Sequence, residues 1–230
     1  FYIDVAQEII QNIHGHLSNC PIFVTTDSDD KRDQLLGILR HIGWPKHRVD
    51  VVQNIGRDVY PKLLHMAPEH AHFEFVLHLH TKKSPHSSSL AKWGTETIGV
   101  LAGDQNILGQ IAHAFQADPR LGIVYADPPS GLHPAMSWTR NLRLSEMLAS
   151  QLGIHNLPRG EDLDFPVGSM FWARADAIQN MQQGQIGLPH FVKEEAQEDG
   201  TLAHAFERMV GVGCVSRGYH LARRKMIQTL

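Results

Sequence analysis

The chain has 230 residues, 42% of them hydrophobic, which is typical of a globular fold with one large domain or two small ones. The net charge of −3 and the pI near 6.6 argue against a nucleic-acid partner, because such binding usually needs a basic excess on one face. Two cysteines far apart, Cys20 and Cys214, argue against a disulfide framework and favour a cytoplasmic location. No run of about 18 apolar residues is present, so no transmembrane segment is expected, and peripheral association with the inner face of the plasma membrane stays open.

Helical and strand patterns alternate along the chain. Apolar residues spaced by three and four predict a helix over 6–17, and a β-branched run predicts a strand within 21–30. Ser28, Asp29 or Asp30 is expected to cap the next helix. The remaining predicted elements, in order, are a helix through 35–42, a strand over 49–54, a short helix, a strand over 73–80, one longer helix through 98–115, a strand over 122–126, a loop over 127–141, a strand over 166–173 and a helix over 201–210.

This order of elements predicts the fold class. Strands that alternate with helices favour parallel pairing, with helices on both faces of the sheet. We therefore predict an α/β fold, built as a single domain over residues 1–230. Because the chain begins with Phe1 rather than Met, we also expect it to be a fragment of a longer protein.

Polar residues follow three of the predicted strands, where open α/β sheets bind their ligands. Three such clusters at corresponding strand ends predict a ligand site at this edge of the sheet. The clusters are Thr25, Thr26 and Asp27 after the first strand, Asn54, Gly56, Arg57 and Asp58 after the second, and His80, Thr81, Lys82, Lys83 and Ser84 after the third.

The third strand, FEFVLHLH, carries histidines on one face and then runs into two lysines. We expect His78 to be a buried structural residue and His80 to reach a ligand. Lys82 and Lys83 are expected to hold a phosphate or diphosphate as point charges, and Arg57 to bind it through paired hydrogen bonds. A solvated basic loop is the alternative for the lysines.

Four segments occur in order along the chain: 54-NIGRDVYP-61, 77-LHLHTKKS-84, 168-GSMFWAR-174 and 198-EDGTLAHAFER-208. Together, over roughly residues 1 to 220, they resemble the rhamnan synthesis protein F family. Its members are associated with bacterial rhamnose-containing polysaccharides and are regarded as glycosyltransferases or glycosyltransferase-like domains.

The resemblance implies a GT-A-like, Rossmann-like fold with a mostly parallel central sheet flanked by helices. It also implies a glycosyltransferase of rhamnan, O-antigen or capsule synthesis. Such an enzyme would move a sugar, expected to be rhamnose, from a deoxythymidine-diphosphate type donor to a saccharide or lipid-linked saccharide acceptor. We expect inversion, because single displacement needs one base and no nucleophile.

Two other hypotheses belong to different classes. The first alternative is a non-catalytic carbohydrate or nucleotide-sugar binding module of a larger polysaccharide-synthesis protein. A metal-dependent hydrolase ranks third, because the sixteen histidines lack a tight ligand pattern such as HExxH.

The fourth segment supplies the candidate catalytic base. Comparable glycosyltransferases often place an acceptor-facing carboxylate directly before a helix, and Asp199 and Glu198 stand there. The alternative for Asp199 is that it caps the helix that follows, since Asp is a preferred N-cap residue.

No cofactor is assigned to the donor site. Many GT-A enzymes hold a divalent metal with an Asp-x-Asp motif, and this chain has Asp27-Ser-Asp29 and Asp162-Leu-Asp164. Neither follows the expected strand, where His-Thr-Lys-Lys stands instead, so fixed cations are favoured over Mg²⁺ or Mn²⁺, which stay an alternative. The residues expected to bind the donor diphosphate are Asn54, Gly56, Arg57, Asp58, His80, Lys82 and Lys83.

Further residues are candidates for substrate contacts. Gly168 is expected to let a sugar pass close to the main chain, and Trp93 and Trp138, in polar surroundings, to offer stacking platforms. Arg140, Arg143 and the basic residues at 223–225 are candidates for contacts with phosphate or a lipid-linked acceptor. The residues assigned to substrate binding are Thr25, Trp93, Gly168, Ser169, Trp172 and His204.

Overall fold

The computed structural model describes residues 2–81, 88–128, 136–183, 186–193 and 197–224. The chain forms two compact units, one of Phe1–Asn54 with His80–Gly109 and the other of Ile55–Leu79 with Gln110–Leu230. The single domain predicted from the sequence stays a prediction. The described helices and strands are α1 Ile3–Leu17, β1 Ile22–Thr26, α2 Asp29–His41, β2 His47–Val51, a π-helical turn Tyr60–His65, α3 Ala67–His70, β3 Phe75–His78, α4 Ser88–Ala102, α5 Gln105–Ala117, β4 Leu121–Tyr125, α6 Leu142–Gln151, β5 Phe171–Arg174, α7 Leu202–Ser216 and β6 His220–Arg223, with 3₁₀ turns at Gly160–Asp162, Asp176–Gln182 and Leu188–His190.

The first unit contains the β-α-β step that the sequence predicts. Strands β1 and β2 pair in parallel from Ile22 opposite His47 to Thr26 opposite Val51, and α2 connects them. Ser28 caps α2, because its hydroxyl accepts a hydrogen bond from the Lys31 amide. Helix α1 packs against α2. The predicted helices α1 and α2 and the predicted strands β1 and β2 are therefore confirmed.

The second unit contains a four-stranded mixed sheet in the order β3-β5-β4-β6. Strand β5 is antiparallel to both of its neighbours, β3 and β4, and only β4 and β6 pair in parallel. The α/β class is confirmed. The mostly parallel central sheet that the resemblance implies is not found in this unit. The chain between β4 and β5 includes α6 and irregular segments, and a connection of that kind leaves strand direction open. Alternation of strand and helix patterns therefore could not fix the direction of β5.

Helix α7 forms the centre of the second unit, since almost every residue from Ala203 to Cys214 is buried. Glycine lets this helix approach its neighbours closely: a Cβ at Gly211 would lie 2.0 Å from the Asp164 carbonyl oxygen. Its Phe206 and Met209 pack in a core that also includes Leu148, Phe165, Phe171 and Ile178. Its position is thus fixed by packing on several sides.

The long helix predicted through 98–115 is two helices. Asp104 lies between α4 and α5, and its side chain accepts a hydrogen bond from the Ile107 amide at 2.8 Å, which caps a new helix. Helix α6 and strand β6 were not predicted, whereas α7 extends the predicted 201–210 helix to Ser216. Within the described residues, no helix combines the length and hydropathy needed to cross a bilayer.

Candidate active site

One row of residues crosses the sheet of the second unit. His78 of β3 pairs with Phe171 of β5, Phe171 with Tyr125 of β4, and Tyr125 with Arg223 of β6. Because β5 runs opposite to the other three strands, its amino end lies at the same edge as their carboxyl ends. Open α/β sheets bind ligands at the carboxyl ends of their strands, so this edge is the expected place of a site.

One face of α7 holds three separate segments of the chain. His204, Glu207 and Arg208 are three and four residues apart, so their side chains lie on the same side of the helix. Their partners are, in that order, the Arg57 guanidinium, the Gly168 amide at 2.7 Å and the Asp199 carboxylate at 3.5 Å. The first, third and fourth of the segments quoted above therefore meet on this helix, and the second pairs with the third along β3 and β5.

The Asp199 carboxylate is held by donors from a distant loop. Asn141 Nδ2 donates to Oδ1 at 2.6 Å, the Thr139 hydroxyl donates to Oδ2 at 2.5 Å, and the Arg140 amide lies 3.4 Å from Oδ2. Burial alone would raise the pKa of Asp199, but the hydrogen bonds from Asn141 and Thr139 and the charge of Arg208 outweigh it and lower this pKa to about 2. The side chain is still 21% exposed, so the ionised carboxylate reaches solvent.

Asp199 is not the cap of α7. The N-cap residue is Thr201, and its hydroxyl lies 2.8 Å from Nδ1 of His204. The capping interpretation of Asp199 is therefore wrong, and its carboxylate is directed to 139–141 instead. Glu198, the other candidate base, is exposed.

Arg57 and His204 form a side-chain pair. Arg57 Nη1 donates to His204 Nε2 and lies 3.3 Å from the Gln197 carbonyl oxygen. A guanidinium only donates, so Nε2 accepts this bond, while Nδ1 lies 2.8 Å from the Thr201 hydroxyl and 3.4 Å from the Thr201 backbone amide. His204 is 7% exposed and Arg57 is half-buried, so this is a partly buried polar contact.

The turn that presents Arg57 depends on its backbone. Arg57 has φ +55° and the preceding Gly56 has φ +74°. A Cβ on Gly56 would also lie 2.6 Å from Cβ of Tyr60, so the position needs glycine for two reasons. Gly56 thus acts by shaping this turn.

Lys62 joins the Asp58 turn to the start of β5. Its Nζ lies 2.6 Å from the Asp58 carboxylate and donates to the Ser169 carbonyl oxygen at 2.5 Å. Gly168 and Ser169 both have positive φ, +79° and +54°. Glycine is therefore favoured at position 168 because the chain makes a left-handed turn there. The Gly168 amide donates a hydrogen bond to Glu207.

His78 is buried, as predicted, and pairs with a second histidine. Its Nε2 lies 3.2 Å from Nε2 of His70, and His70 Nδ1 contacts the side-chain amide of Gln182. Burial lowers the pKa of His70 to about 4, and burial followed by the positive charge of His70 lowers that of His78. Both rings are therefore neutral at physiological pH.

The end of β4 carries a polar cluster. The Tyr125 hydroxyl donates to Asp164, Arg223 Nε donates to the Tyr125 hydroxyl at 2.9 Å, and Arg223 Nη2 lies 3.3 Å from Asp164. Burial and the bond to Asp164 raise the pKa of Tyr125. Arg223 is thus paired at the sheet edge, while its neighbour Arg224 is 4% exposed and donates to Gln110.

Both Asp-x-Asp motifs have basic or hydroxyl partners. Asp164 of the second motif bonds Tyr125 and Arg223, as above, and in the first motif Asp27 pairs with Lys31 at 2.7 Å. Across the described ranges, His, Cys, Asp and Glu side chains form no group of three or more able to hold a metal ion.

Comparison with known proteins shows the family of the chain. The family model for rhamnan synthesis protein F matches residues 1–219. The chain belongs to the rhamnan synthesis protein F family. It is 33% identical over 224 residues to "Uncharacterized protein WxcX" from each of two strains of Xanthomonas campestris pv. campestris, covering 96% of this chain and 31% of each relative. The chain thus spans about a third of the length of these curated relatives. No solved structure matches it.

Membership in the rhamnan synthesis protein F family connects the chain with rhamnan or related polysaccharide synthesis. The resemblance found from four segments is confirmed, and the match covers the chain that holds the α7 contacts. The family name specifies neither the donor nor the acceptor.

The remaining predicted site residues divide between the two units. Gly56, Arg57, Asp58, Gly168, Ser169, Trp172, His204, Glu198 and Asp199 belong to the second unit, whereas Thr25, Asn54, His80 and Trp93 belong to the first. Thr25 is half-buried on β1, Asn54 is exposed and His80 is half-buried. Lys82 and Lys83, together with 225 of the late basic cluster, lie outside the described residues.

The tryptophan predictions need correction. Trp138 is 6% exposed, belongs to the core of the second unit and donates to the Pro158 carbonyl oxygen at 3.0 Å. Trp93 is 9% exposed, so it too is buried rather than set in polar surroundings. Trp172 is half-buried while its neighbour Phe171 is 1% exposed, in line with strand alternation.

Sequence reasoning missed four residues of this site. Thr139 and Asn141 lie in a segment rich in proline and glycine, which favoured a surface loop. Arg208 stands four residues after His204 and Lys62 four after Asp58. That helical spacing is the signal that would have found the last two.

Proposed function

We propose that this chain is a glycosyltransferase domain of bacterial surface polysaccharide synthesis. It moves rhamnose from a nucleotide-diphosphate donor to a saccharide or lipid-linked saccharide acceptor, at the cytoplasmic face of the membrane. Family membership supports the pathway. The observation that carries the proposal is the convergence of three family segments on one face of α7, next to a solvent-reaching carboxylate, Asp199. A GT-A-like fold belongs to the same proposal, and the parallel β1-α2-β2 step supports it.

The proposed reaction is a single displacement with inversion. The acceptor oxygen forms a bond to the anomeric carbon of the donor, and the bond from that carbon to the diphosphate oxygen breaks. The bonding pair leaves with the diphosphate, and the hydroxyl proton passes to the Asp199 carboxylate. Asp199 is ionised at neutral pH, which is the state a base needs.

Cationic side chains are proposed to neutralise the charge that develops on the diphosphate. His80, Lys82 and Lys83 follow β3 directly in the sequence, and Arg57 belongs to the family segment that contacts α7. A divalent metal held by Asp residues is the alternative for this task. The two differ in a measurable way, since only the second makes donor binding depend on added metal.

The first experiment is a binding titration with nucleoside diphosphates and nucleotide sugars, with and without Mg²⁺ or Mn²⁺. We expect metal-free binding that Lys82→Ala weakens at least about tenfold, because one charged contact is worth roughly 1.5 to 3 kcal/mol. Lys46→Ala is the matched control, since it removes a lysine charge from an exposed residue. Binding that requires added metal would favour a divalent metal over the cationic side chains. Failure to bind any of the nucleotides would contradict the donor assignment.

A transfer assay then tests the base. Asp199→Asn keeps the shape of the side chain and removes the proton acceptor, so we expect transfer to fall by about 10² to 10⁴. Glu198→Gln is the comparison, and we expect a smaller effect from this exposed residue. Wild-type transfer by Asp199→Asn would remove Asp199 from the reaction.

One observation favours a second candidate, a non-catalytic carbohydrate-binding module. A carboxylate with a pKa of about 2 has a low affinity for protons, and its partners Thr139, Asn141 and Arg208 already bind it. Such a group is better suited to binding hydroxyls than to abstracting their protons. Product formation by the purified chain would rule this candidate out.

A further inference from the structure

The Thr139 hydroxyl lies in a ring of polar partners. It donates to Asp199 Oδ2 at 2.5 Å, while Asn141 Nδ2 and Arg208 Nη2 lie 3.0 and 3.1 Å from its oxygen. Its other neighbour is the carbonyl oxygen of the preceding residue, Trp138, at 2.8 Å. A hydroxyl with a carboxylate on its proton and two N–H donors on its oxygen is fully hydrogen-bonded.

Two of the groups around this hydroxyl, Arg208 and Asn141, are also held by other partners. Arg208 is 5% exposed and donates to the carbonyl oxygens of Ser137 and His204 at 2.8 and 3.0 Å. Asn141 is fully buried, and its amide orientation is set by Asp199, because the opposite orientation would place two oxygens together. The ring is therefore preorganised to bind one alcohol.

Thr139 itself is held in a strained and exposed position. Its φ is +45°, a conformation that is unfavourable for a β-branched residue and costs about 1 to 3 kcal/mol. The residue is exposed, and the Asp199 carboxylate that its hydroxyl binds is itself 21% exposed. A hydroxyl that arrives from solvent can replace it without opening the core.

We propose that Asp199, Asn141 and Arg208 form a subsite for a hydroxyl of the saccharide acceptor, and that Thr139 occupies this subsite in place of the acceptor. The acceptor part of this inference rests on the proposed function. The chemical class of ligand is a sugar alcohol group, which presents the same atoms as the threonine side chain.

The subsite orients an incoming hydroxyl for proton transfer. Its proton points to Oδ2 of Asp199, the oxygen that Thr139 now holds. Asn141 and Arg208 also have Oδ1 of Asp199 as an acceptor, at 2.6 and 3.5 Å. Asn141 or Arg208 can therefore give up its hydrogen bond to the sugar oxygen and keep the one to Asp199. The sugar oxygen then has a free lone pair.

Removal of the competing hydroxyl tests the subsite by binding alone. Wild type, Thr139→Gly and Thr139→Ala are titrated calorimetrically with a rhamnose oligosaccharide, without any donor. We expect the two variants to bind about tenfold more tightly, as when a binding-competent state of about one in ten becomes dominant. Thr139→Ser keeps the hydroxyl and serves as the matched control, with wild-type affinity expected.

The variants also separate binding from folding. Thermal unfolding of each variant reports whether the 137–141 loop still supports the unit, and Asp199→Asn should weaken oligosaccharide binding without unfolding the chain. Binding by Thr139→Gly and Thr139→Ala that is no tighter than wild type, or absent throughout, would overturn the inference. Nucleotide binding and donor hydrolysis by the wild type are measured in parallel. If neither is observed, the proposed function is contradicted, but the oligosaccharide titrations still test the hydroxyl subsite.

Discussion

His204 of α7 accepts a hydrogen bond from Arg57, which lies 147 positions earlier in the chain. The contact connects α7 to the turn that starts at the positive-φ residue Gly56. A turn from the first family segment and a helix from the fourth are thereby held as one structure. The energetic contributions of the two side chains to folding should therefore be coupled.

A double-mutant cycle tests this coupling. Arg57→Ala removes the hydrogen bond to His204 Nε2, so we expect a loss of about 1 to 3 kcal/mol in the free energy of unfolding. In the His204→Ala background the same change should cost less, with a coupling energy above about 0.5 kcal/mol. Chemical denaturation of the four proteins provides the measurement, and strictly additive effects would contradict the pair.

The ionisation of Asp199 has a predicted pH range. Its pKa is lowered to about 2, so its contribution to stability is complete above the pKa of an unfolded aspartate, about 3.9, and is lost as pH falls towards 2. The carboxyl carbon of Asp199 should therefore still report an ionised group by NMR at about pH 3.

Thr139→Val tests whether the hydrogen bond from Thr139 lowers the pKa of Asp199. It removes one donor at constant shape, so the pKa of Asp199 should rise, whereas Thr139→Ser should leave it close to the wild-type value. For transfer, we expect no acid limb from Asp199 above about pH 4. A carboxyl titration near 4 in the wild type would show that the donors do not hold Asp199.

Much of the local structure was readable from the sequence. The stripe of Ile9, Ile10 and Ile13 marks α1, and the Ser28 cap marks the start of α2, because local spacing and capping decide helices. The split at Asp104 carried the same kind of signal, an Asp at a helix start, but the apolar period ran across it. Local rules therefore located the elements better than their breaks.

The site was only partly readable. Family segments named Arg57, Gly168, His204 and Asp199, but not what binds them. Thr139 is the example: it meets Asp199 from 60 positions away, in a loop whose sequence has no periodicity. Contacts of that kind arise when α7 packs in the core, and that packing depends on the whole unit.

The histidine pair predicts acid sensitivity. The pKa of His70 is lowered to about 4, so the unfolded chain binds the proton first, and stability falls as pH decreases from about 6.5 through 4. The charged groups that act on the pair are Glu69, near His70, and Lys62 and Asp58, near His78.

We expect the urea midpoint to drop between pH 7.5 and pH 5, and the drop to shrink in His70→Gln, which cannot be protonated. His72 is exposed, so His72→Gln is the control and should keep the full pH dependence. Equal pH dependence in wild type and His70→Gln would show that the buried pair is not the source.

Lys62 offers a comparison between a partly buried and a more exposed ion pair. Its side chain is 13% exposed and binds both Asp58 and the Ser169 carbonyl oxygen, so Lys62→Met removes both contacts. We expect a loss of about 1 to 3 kcal/mol in the free energy of unfolding. Lys31→Met breaks an i,i+4 pair with Asp27 in which the lysine is 29% exposed, and should cost less than about 1 kcal/mol. Thermal and urea unfolding of both variants measure the difference. Equal losses would mean that Lys62 does not join the Asp58 turn to the start of β5 in solution.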